Sequence, residues 1–486
     1  MAVTKIAQFF AGLVTTKLSA ILLGTVGVGI VNQLNFLTQK MSQFTTLSMV
    51  EAVVKQISEN RNKENAADLI KSSLKSYIVL VSFFFTISFI VLFIFSNNIT
   101  TYIFGDIAYL KYFFVGLLTF PLLIISSIPF AILRAFLDVK TIARARIGIV
   151  LVNLVIAIPL IYFFKLKGAI VSVSISYIIE LLFHYFYAQK KYFKLYNITL
   201  QKILIAPFSV QFIKELFQFS VFGITVGTYS IVSEFFCRSI VVSNLGIDKI
   251  GLYSPIITFA GFFTGFLLPS LSTYLYPRFC ELKTEREISG LLNDSLRLGT
   301  LMMIPLLLLG IPFARVTIAI FYSIDFIEAT SYLPYHFIGV LFYVWWYVFT
   351  QAMTPTGKIK QHGFFQLLFY STDIAVTYIM VKHFGLWGWM LKHIISPFIF
   401  FWVYAFYSKK KMGFKLSEKN RNLMLYLFAA SIIIIVIDKS LKIGSVVNYF
   451  LGPLMMMISF LLLETSEKQF VFIKVKEIKN KISFKN

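Results

Sequence analysis

Long apolar runs, each near the length of a bilayer crossing and joined by short basic loops, leave this chain one kind of fold. They fall near residues 7–31, 35–57, 73–96, 112–133, 146–164 and 168–188. A second set lies near 217–242, 250–275, 297–320, 334–354, 363–383 and 387–407, and two more lie near 423–437 and 446–463. A membrane helix needs about 20 mostly apolar residues. In lipid every backbone donor and acceptor must be satisfied inside the structure, which selects helices or closed barrels. Barrel strands would alternate apolar and polar over short segments, a pattern absent here. With 58% hydrophobic and only 14% charged residues, the expected fold is all-α: a polytopic membrane protein of about 14 transmembrane helices.

The net charge of +23 would suggest nucleic acid in a soluble protein. Here the positive charge lies between the apolar runs, where it sets orientation. With the N-terminus inside, one side receives most of it, including Lys55, Arg61, Arg134, Arg144, Lys190, Lys194, Arg278, Lys358 and Lys409. The other side keeps Lys111, Lys165, Lys167, Lys249, Lys382, Lys439 and Lys442. Both termini are therefore expected in the cytoplasm. The first run does not read as a cleavable signal, because Lys17 interrupts it and no small-x-small site follows. The outer loops have no room for a folded domain. Segment 189–216 mixes lysines with Phe, Leu and Ile and reads as a linker lying partly in the cytoplasmic interface. The tail lysines Lys474, Lys476, Lys479, Lys481 and Lys485 suit anionic lipid or plain solvation equally. Cys237 and Cys280 fall near opposite ends of adjacent runs, which argues against a disulfide.

An internal repeat organises the chain. KLSAILLGTVGVGI around Lys17 resembles RSIVVSNLGIDKIGL around Arg238, with a glycine seven or eight residues after each cation. FKLKGAIVSVSISYIIELLFHYFYAQKK and FGLWGWMLKHIISPFIFFWVYAFYSKKK share the offset of about 220 residues, Gly168 matching Gly388. An even number of helices per copy gives both copies the same orientation. The expected domains are a six-helix lobe over 1–192, a linker over 193–216, a second six-helix lobe over 217–412, and an added helix pair with basic tail over 413–486.

A few polar side chains inside these runs are candidates for chemistry. An intramembrane lysine such as Lys17 costs about 2.5–3.5 kcal/mol on insertion scales, unless it snorkels to headgroups or faces water or an anion. Asn35, Gln39 and Gln43 recur at helical spacing, so one face of the second run is hydrophilic; it needs a wet cavity or interhelical hydrogen bonds. Arg238 has Glu234 four residues before it, on the same helix face. This is either a self-neutralising pair or half of a cationic clamp, with Lys17 opposite and Glu234 holding Arg238 or a proton. Arg suits bidentate diphosphate contact and Lys acts as a point charge. Glu234, Glu180 and Asp373 are the ion-coupling candidates. Lys392 and His393 also lie in a run, though for each such residue a buried interhelical pair explains the position as well. His184 and His336 fall near run ends and need no role. There is no P-loop, zinc spacing or nucleophile elbow, so no cofactor or metal is expected, and the many phenylalanines suit lipid-facing packing better than nucleic-acid stacking.

The chain resembles the O-antigen (Wzx-type) polysaccharide flippases, the enterobacterial common antigen lipid III flippases in particular, within the multidrug/oligosaccharidyl-lipid/polysaccharide exporter superfamily. GLVTTKLSAILLGTVGVGIVNQ, VVKQISEN, CRSIVVSNLGIDKIGLYSP and LLPSLSTYLYPRFCELKTEREI carry the resemblance, through about residue 410. The helix pair after residue 420 departs from the twelve-span pattern. The resemblance implies two six-helix lobes that move undecaprenyl-pyrophosphate-linked oligosaccharide to the outer leaflet, with other glycan-assembly proteins as further partners. Lys17 and Arg238 match its cavity-lining basic residues by position. A peptidoglycan-precursor flippase, or a multidrug/cation exporter of the same fold, is the alternative. A membrane glycosyltransferase or polymerase is disfavoured by the short outer loops and by the lack of Asp-x-Asp.

Overall fold

The computed structural model describes residues 2–46, 49–440, 446–465 and 467–469, and no strand occurs among them. The tail lysines from Lys474 onward lie outside the described residues. In chain order the helices are α1 (Ala2–Thr46), α2 (Met49–Asn60), α3 (Ala66–Ile94), α4 (Ser96–Phe104), α5 (Leu110–Ala135), α6 (Val139–Ala188), α7 (Leu200–Ile205), α8 (Val210–Leu245) and α9 (Ile247–Leu252). They continue as α10 (Ser254–Glu281), α11 (Glu285–Leu308), α12 (Ala314–Phe321), α13 (Leu333–Met353), α14 (Ile359–Phe384), α15 (Leu386–Lys411), α16 (Glu418–Ser440) and α17 (Val446–Ser459). Among the described residues, nine helices are long and apolar enough to cross a membrane.

α6 counts as one of the nine, yet it has 50 residues and would run about 75 Å if straight, far beyond the ~30 Å hydrocarbon core. It breaks at Lys165, whose φ is 49°. A Cβ on Gly168 would fall 1.8 Å from the Leu160 carbonyl oxygen, whereas residues eight apart in a straight helix lie about 12 Å apart. The chain therefore doubles back here, and only glycine lets the returning arm come so close. The same device recurs 220 residues later: Gly385 turns the chain at φ 57°, and a Cβ on Gly388 would meet the Met380 carbonyl at 1.9 Å. The glycines aligned in sequence thus do the same work in the structure.

α1 is likewise two arms, broken at Gly24 (φ 61°, ψ −168°). The expected boundary near residue 31 moves because Thr25–Ile30 is as apolar as the stretch before it, so hydropathy does not fall at the break. Lys17 is accordingly two turns from the end of the first arm, not at the centre of a span.

The chain packs into two compact units. The first draws on Met1–Pro255, Ile320–Phe326 and Gly363–Trp389, and the second on Ile256–Ala319, Ile327–His362 and Met390–Asn486. In the first, Ile30, Leu34 and Leu37 of α1 join Val53, Ile57, Leu74, Phe113 and Phe120 in one buried core. α1 and α9 cross there at a pair of glycines. A Cβ on Gly29 would lie 2.4 Å from the Ile247 carbonyl oxygen, and one on Gly251 would lie 1.8 Å from that of Thr25. The contact is reciprocal, and small residues are what allow two backbones to approach so closely.

In the second unit, α11 begins at a capping box: Thr284 Oγ1 accepts the Glu287 N–H, and Glu287 Oε2 accepts the Thr284 N–H at 3.0 Å. Asn293 anchors the chain entering α16, accepting from Ser417 N at 2.8 Å and donating to Lys415 O at 2.8 Å. Arg297 donates to both carboxylate oxygens of Glu467, at 2.6 and 2.7 Å. Phe342, Trp345, Phe349 and Phe401 interlock edge-on or tilted in its core.

Candidate functional site

A polar network is buried in the first unit. Gln33, Phe36 and Lys40 follow one another at helical spacing on the second arm of α1, so they share a face. Gln33 is fully buried and its amide is used at both ends: Nε2 donates to the Ile103 carbonyl at 2.7 Å, and Oε1 accepts from Arg238 Nη1 at 2.9 Å. That pairing fixes which way the amide points. The Arg238 guanidinium also lies 4.3 Å from the centre of the Phe36 ring, within cation–π range. Its Nε donates to Glu234 Oε1 at 3.3 Å. The other oxygen of Glu234 lies 2.9 Å from Lys40 Nζ. One carboxylate is thus shared by two cations, and the cluster carries a net positive charge. Glu234 is its most accessible member: its side chain is 38% exposed, against 13% for Arg238 and 22% for Lys40.

The break after Arg238 mirrors the one after Lys17: α8 ends at Gly246, with φ 92°. The two cations hold equivalent sequence positions but different partners. Lys17 Nζ donates to the Tyr322 carbonyl, and Ser323 next to it donates to the Ala20 carbonyl at 3.2 Å.

The other expected residues sit around the network without joining its bonds. Asn35, Gln39 and Gln43 occupy a stripe about a quarter turn around α1 from Gln33 and Lys40; Asn35 accepts from Tyr177 Oη at 3.4 Å, and Gln39 and Gln43 are exposed. Glu180 is half-buried, one turn beyond Tyr177, with Arg146 as an electrostatic partner. Asp373 is buried on α14, behind Arg238, where Cys237 Sγ lies 3.8 Å from its Oδ2 and accepts from Thr377 Oγ1 at 3.2 Å. α14 is also tied to α8 by Ser233, which donates to the Tyr370 carbonyl at 3.1 Å, and by Tyr229 with Ser371 at 2.8 Å. Lys392 and His393 belong to the second unit, where the His393 ring lies tilted against that of His336, 4.8 Å between centres.

Sequence reasoning counted Gln33 and Lys40 in the polar second run without choosing them for the site, and missed Phe36. The available signal was Lys40 itself, a second intramembrane cation seven residues after Gln33.

The fold is that of polytopic membrane transporters. It is similar to the solved structure titled "Lipid II flippase MurJ, inward closed conformation", with TM-score 0.70, 15% identity, and coverage of 94% of this chain and 98% of that one. It is also similar to an inward-facing multidrug resistance transporter of the MATE family, with TM-score 0.67, 13% identity, and coverage of 85% and 98%. Residues 1–283 match the family described as "Polysaccharide biosynthesis protein", and the chain belongs to that family. A curated relative from Shigella flexneri, named "Putative O-antigen transporter", is 24% identical over 374 residues, 74% of this chain and 85% of the relative.

Proposed function

We propose that this protein carries a polyprenyl-pyrophosphate-linked oligosaccharide, an undecaprenyl-linked surface-glycan repeat unit, from the inner to the outer leaflet of a bacterial inner membrane. Both termini are in the cytoplasm, and lobes 1–192 and 217–412 rock about the linker 193–216 to give alternating access. The observation that carries this reading is the Glu234 carboxylate held between Arg238 and Lys40. A carboxylate there is a resident anion in a site built for anions, and a diphosphate arriving in its place takes over both cations. Arg238 suits a forked contact to phosphate oxygens, Lys40 a point charge, and the buried Gln33 keeps the guanidinium oriented. Lys17, Asn35, Gln39 and Gln43 would meet the rest of the headgroup and the glycan, while the polyprenyl tail stays in lipid. A cluster with two cations to one carboxylate repels a cationic drug, which disfavours the multidrug reading. Glu234, once displaced, can take up a proton or cation; with Glu180 and Asp373 it forms the proposed coupling set.

The test is export of lipid-linked glycan in cells whose only copy carries Arg238→Ala, Lys40→Ala or Lys17→Ala. Losing a hydrogen bond to a charged group costs about 1.5–3 kcal/mol, so the Arg238 and Lys40 variants should each export at least about ten-fold less at equal membrane abundance. Full glycan display by both would sink the proposal. Glu234→Gln should change the dependence of export on a proton or sodium gradient, and an unchanged dependence would return Glu234 to a structural role.

A further inference from the structure

The first unit holds a cleft, lined by none of the Arg238 network residues, between α3, α5, the second arm of α6 and the chain segment leading into α7. Its volume is about 610 Å³, in the range of about 300–1,000 Å³ typical of ligand pockets. Ile78, Ile125, Ile128, Leu181 and Ile203 form its walls, and Lys194, Asn197 and Thr199 line it on the side of the lysine-rich segment. That segment, residues 189–205, carries four lysines and no acidic residue. Two of them are engaged locally: Lys191 Nζ lies 2.7 Å from Asp138 Oδ2, and Lys202 donates to Asn197 Oδ1 at 2.5 Å. None of the described acidic residues pairs with Lys194, which lies at the cleft. Asn197 adopts φ 52° and folds the segment back so that Ile203 closes the wall, while Leu195, Leu200, Leu204 and Ile205 remain exposed. A segment with basic side chains and exposed apolar ones on a multi-pass protein belongs in the headgroup layer.

We infer that this cleft binds one anionic phospholipid of the surrounding bilayer, an acyl chain between α3, α5 and α6 and the phosphate on Lys194. Besides Lys194 the cleft offers a phosphate only neutral donors, from Tyr185, Gln189, Asn197 and Thr199, and a free anion leaves the apolar walls unfilled, whereas a lipid fills them with an acyl chain that meets them as readily as it meets its neighbours in the bilayer. The lysines favour an anionic over a zwitterionic headgroup, each basic residue near such a surface being worth about 1 kcal/mol, or about five-fold in occupancy. This inference is independent of the transported substrate.

The experiment uses the full-length protein in phosphatidylcholine nanodiscs doped with phosphatidylglycerol or phosphatidylcholine that carries a photoreactive group on one acyl chain. Cross-linked peptides are then mapped by mass spectrometry. Labelling by the phosphatidylglycerol probe should concentrate on the peptides holding Ile128, Leu181 and Ile203, about five-fold above the phosphatidylcholine probe. The exposed substitution Lys194→Gln should bring the two probes to the same level. Ile128→Trp, which fills the cleft, should abolish labelling; if that variant does not fold, Lys194→Gln decides alone. Unlabelled phosphatidylglycerol should compete and inorganic phosphate should not. Equal labelling by both probes, labelling spread over the whole apolar surface, indifference to Lys194→Gln, or displacement by phosphate would each overturn the inference. So would displacement by a polyprenyl phosphate but not by phosphatidylglycerol.

Discussion

Replacing Gly251 with alanine tests the packing that brings Gln33 to Arg238. The added Cβ would lie 1.8 Å from the Thr25 carbonyl oxygen, where ordinary contact begins near 3.4 Å, so α1 and α9 must part by about 1.6 Å. At Gly29 the corresponding gap is 2.4 Å and the separation about 1.0 Å. Overpacking of this kind costs about 1–3 kcal/mol, and alanine recovers up to about 1 kcal/mol of helix propensity. Gly251→Ala should therefore lose about 2 kcal/mol, and Gly29→Ala somewhat less. Gly227 of α8 has open space where its Cβ would go, so Gly227→Ala should be neutral or stabilising. Because one separation relieves both clashes, the Gly29→Ala/Gly251→Ala double variant should cost less than the sum of the two. Arg238 lies on α8, which joins α9 at Gly246; where that joint carries α8 along with α9, the 2.9 Å bond to Gln33 stretches beyond hydrogen-bond range, so glycan export should fall with stability. Reversible unfolding in mixed micelles by denaturing detergent gives the energies, and cell-surface glycan gives the export. If Gly251→Ala proves as stable as Gly227→Ala, or the two crossing variants add fully, the reciprocal crossing is wrong.

Gln33→Leu removes the bonds of Gln33 to the buried Ile103 carbonyl and to Arg238 Nη1, leaving the guanidinium only Glu234 and the Phe36 ring, and should cost about 1–3 kcal/mol in the same unfolding assay while lowering export; an unchanged Arg238 environment would argue against the bond. Glu467→Gln leaves the largely buried Arg297 without its counter-charge and should destabilise the protein by about 3 kcal/mol, the lower end for breaking buried pairs, whereas Glu418→Gln, at an exposed pair, should do almost nothing. Asp138 is pushed up by burial but pulled down further by the Lys191 ammonium, by the hydroxyl and backbone N–H of Thr141 and by the Tyr192 hydroxyl, leaving its carboxyl at about 2. A depressed carboxyl contributes its full stability above the ordinary value of 3.8 and loses it as pH falls toward 2. Asp138→Asn should therefore be less stable than the parent at pH 6, and the difference should shrink between about pH 4 and pH 2; a gap constant across that window would refute the assignment.

The apolar runs determined by themselves that this chain is an all-helical membrane protein, because lipid leaves the backbone no other way to satisfy its hydrogen bonds. The sequence also held the repeat: Gly168 and Gly388, aligned by offset alone, prove to be paired hairpin glycines. The Glu234–Arg238 pair was legible too, since helical spacing places residues four apart on one face. Periodicity, however, says which residues share a face and not what that face meets. That Lys40 reaches Glu234, that Gln33 orients an arginine 205 residues away, and that Lys17 turns to the Tyr322 carbonyl were decided by how α1, α8 and the 320–326 segment pack. The break at Gly24 lay equally beyond reach. It depends on a backbone angle and a close approach, and an apolar glycine-containing stretch looks the same to hydropathy whether it runs on or turns.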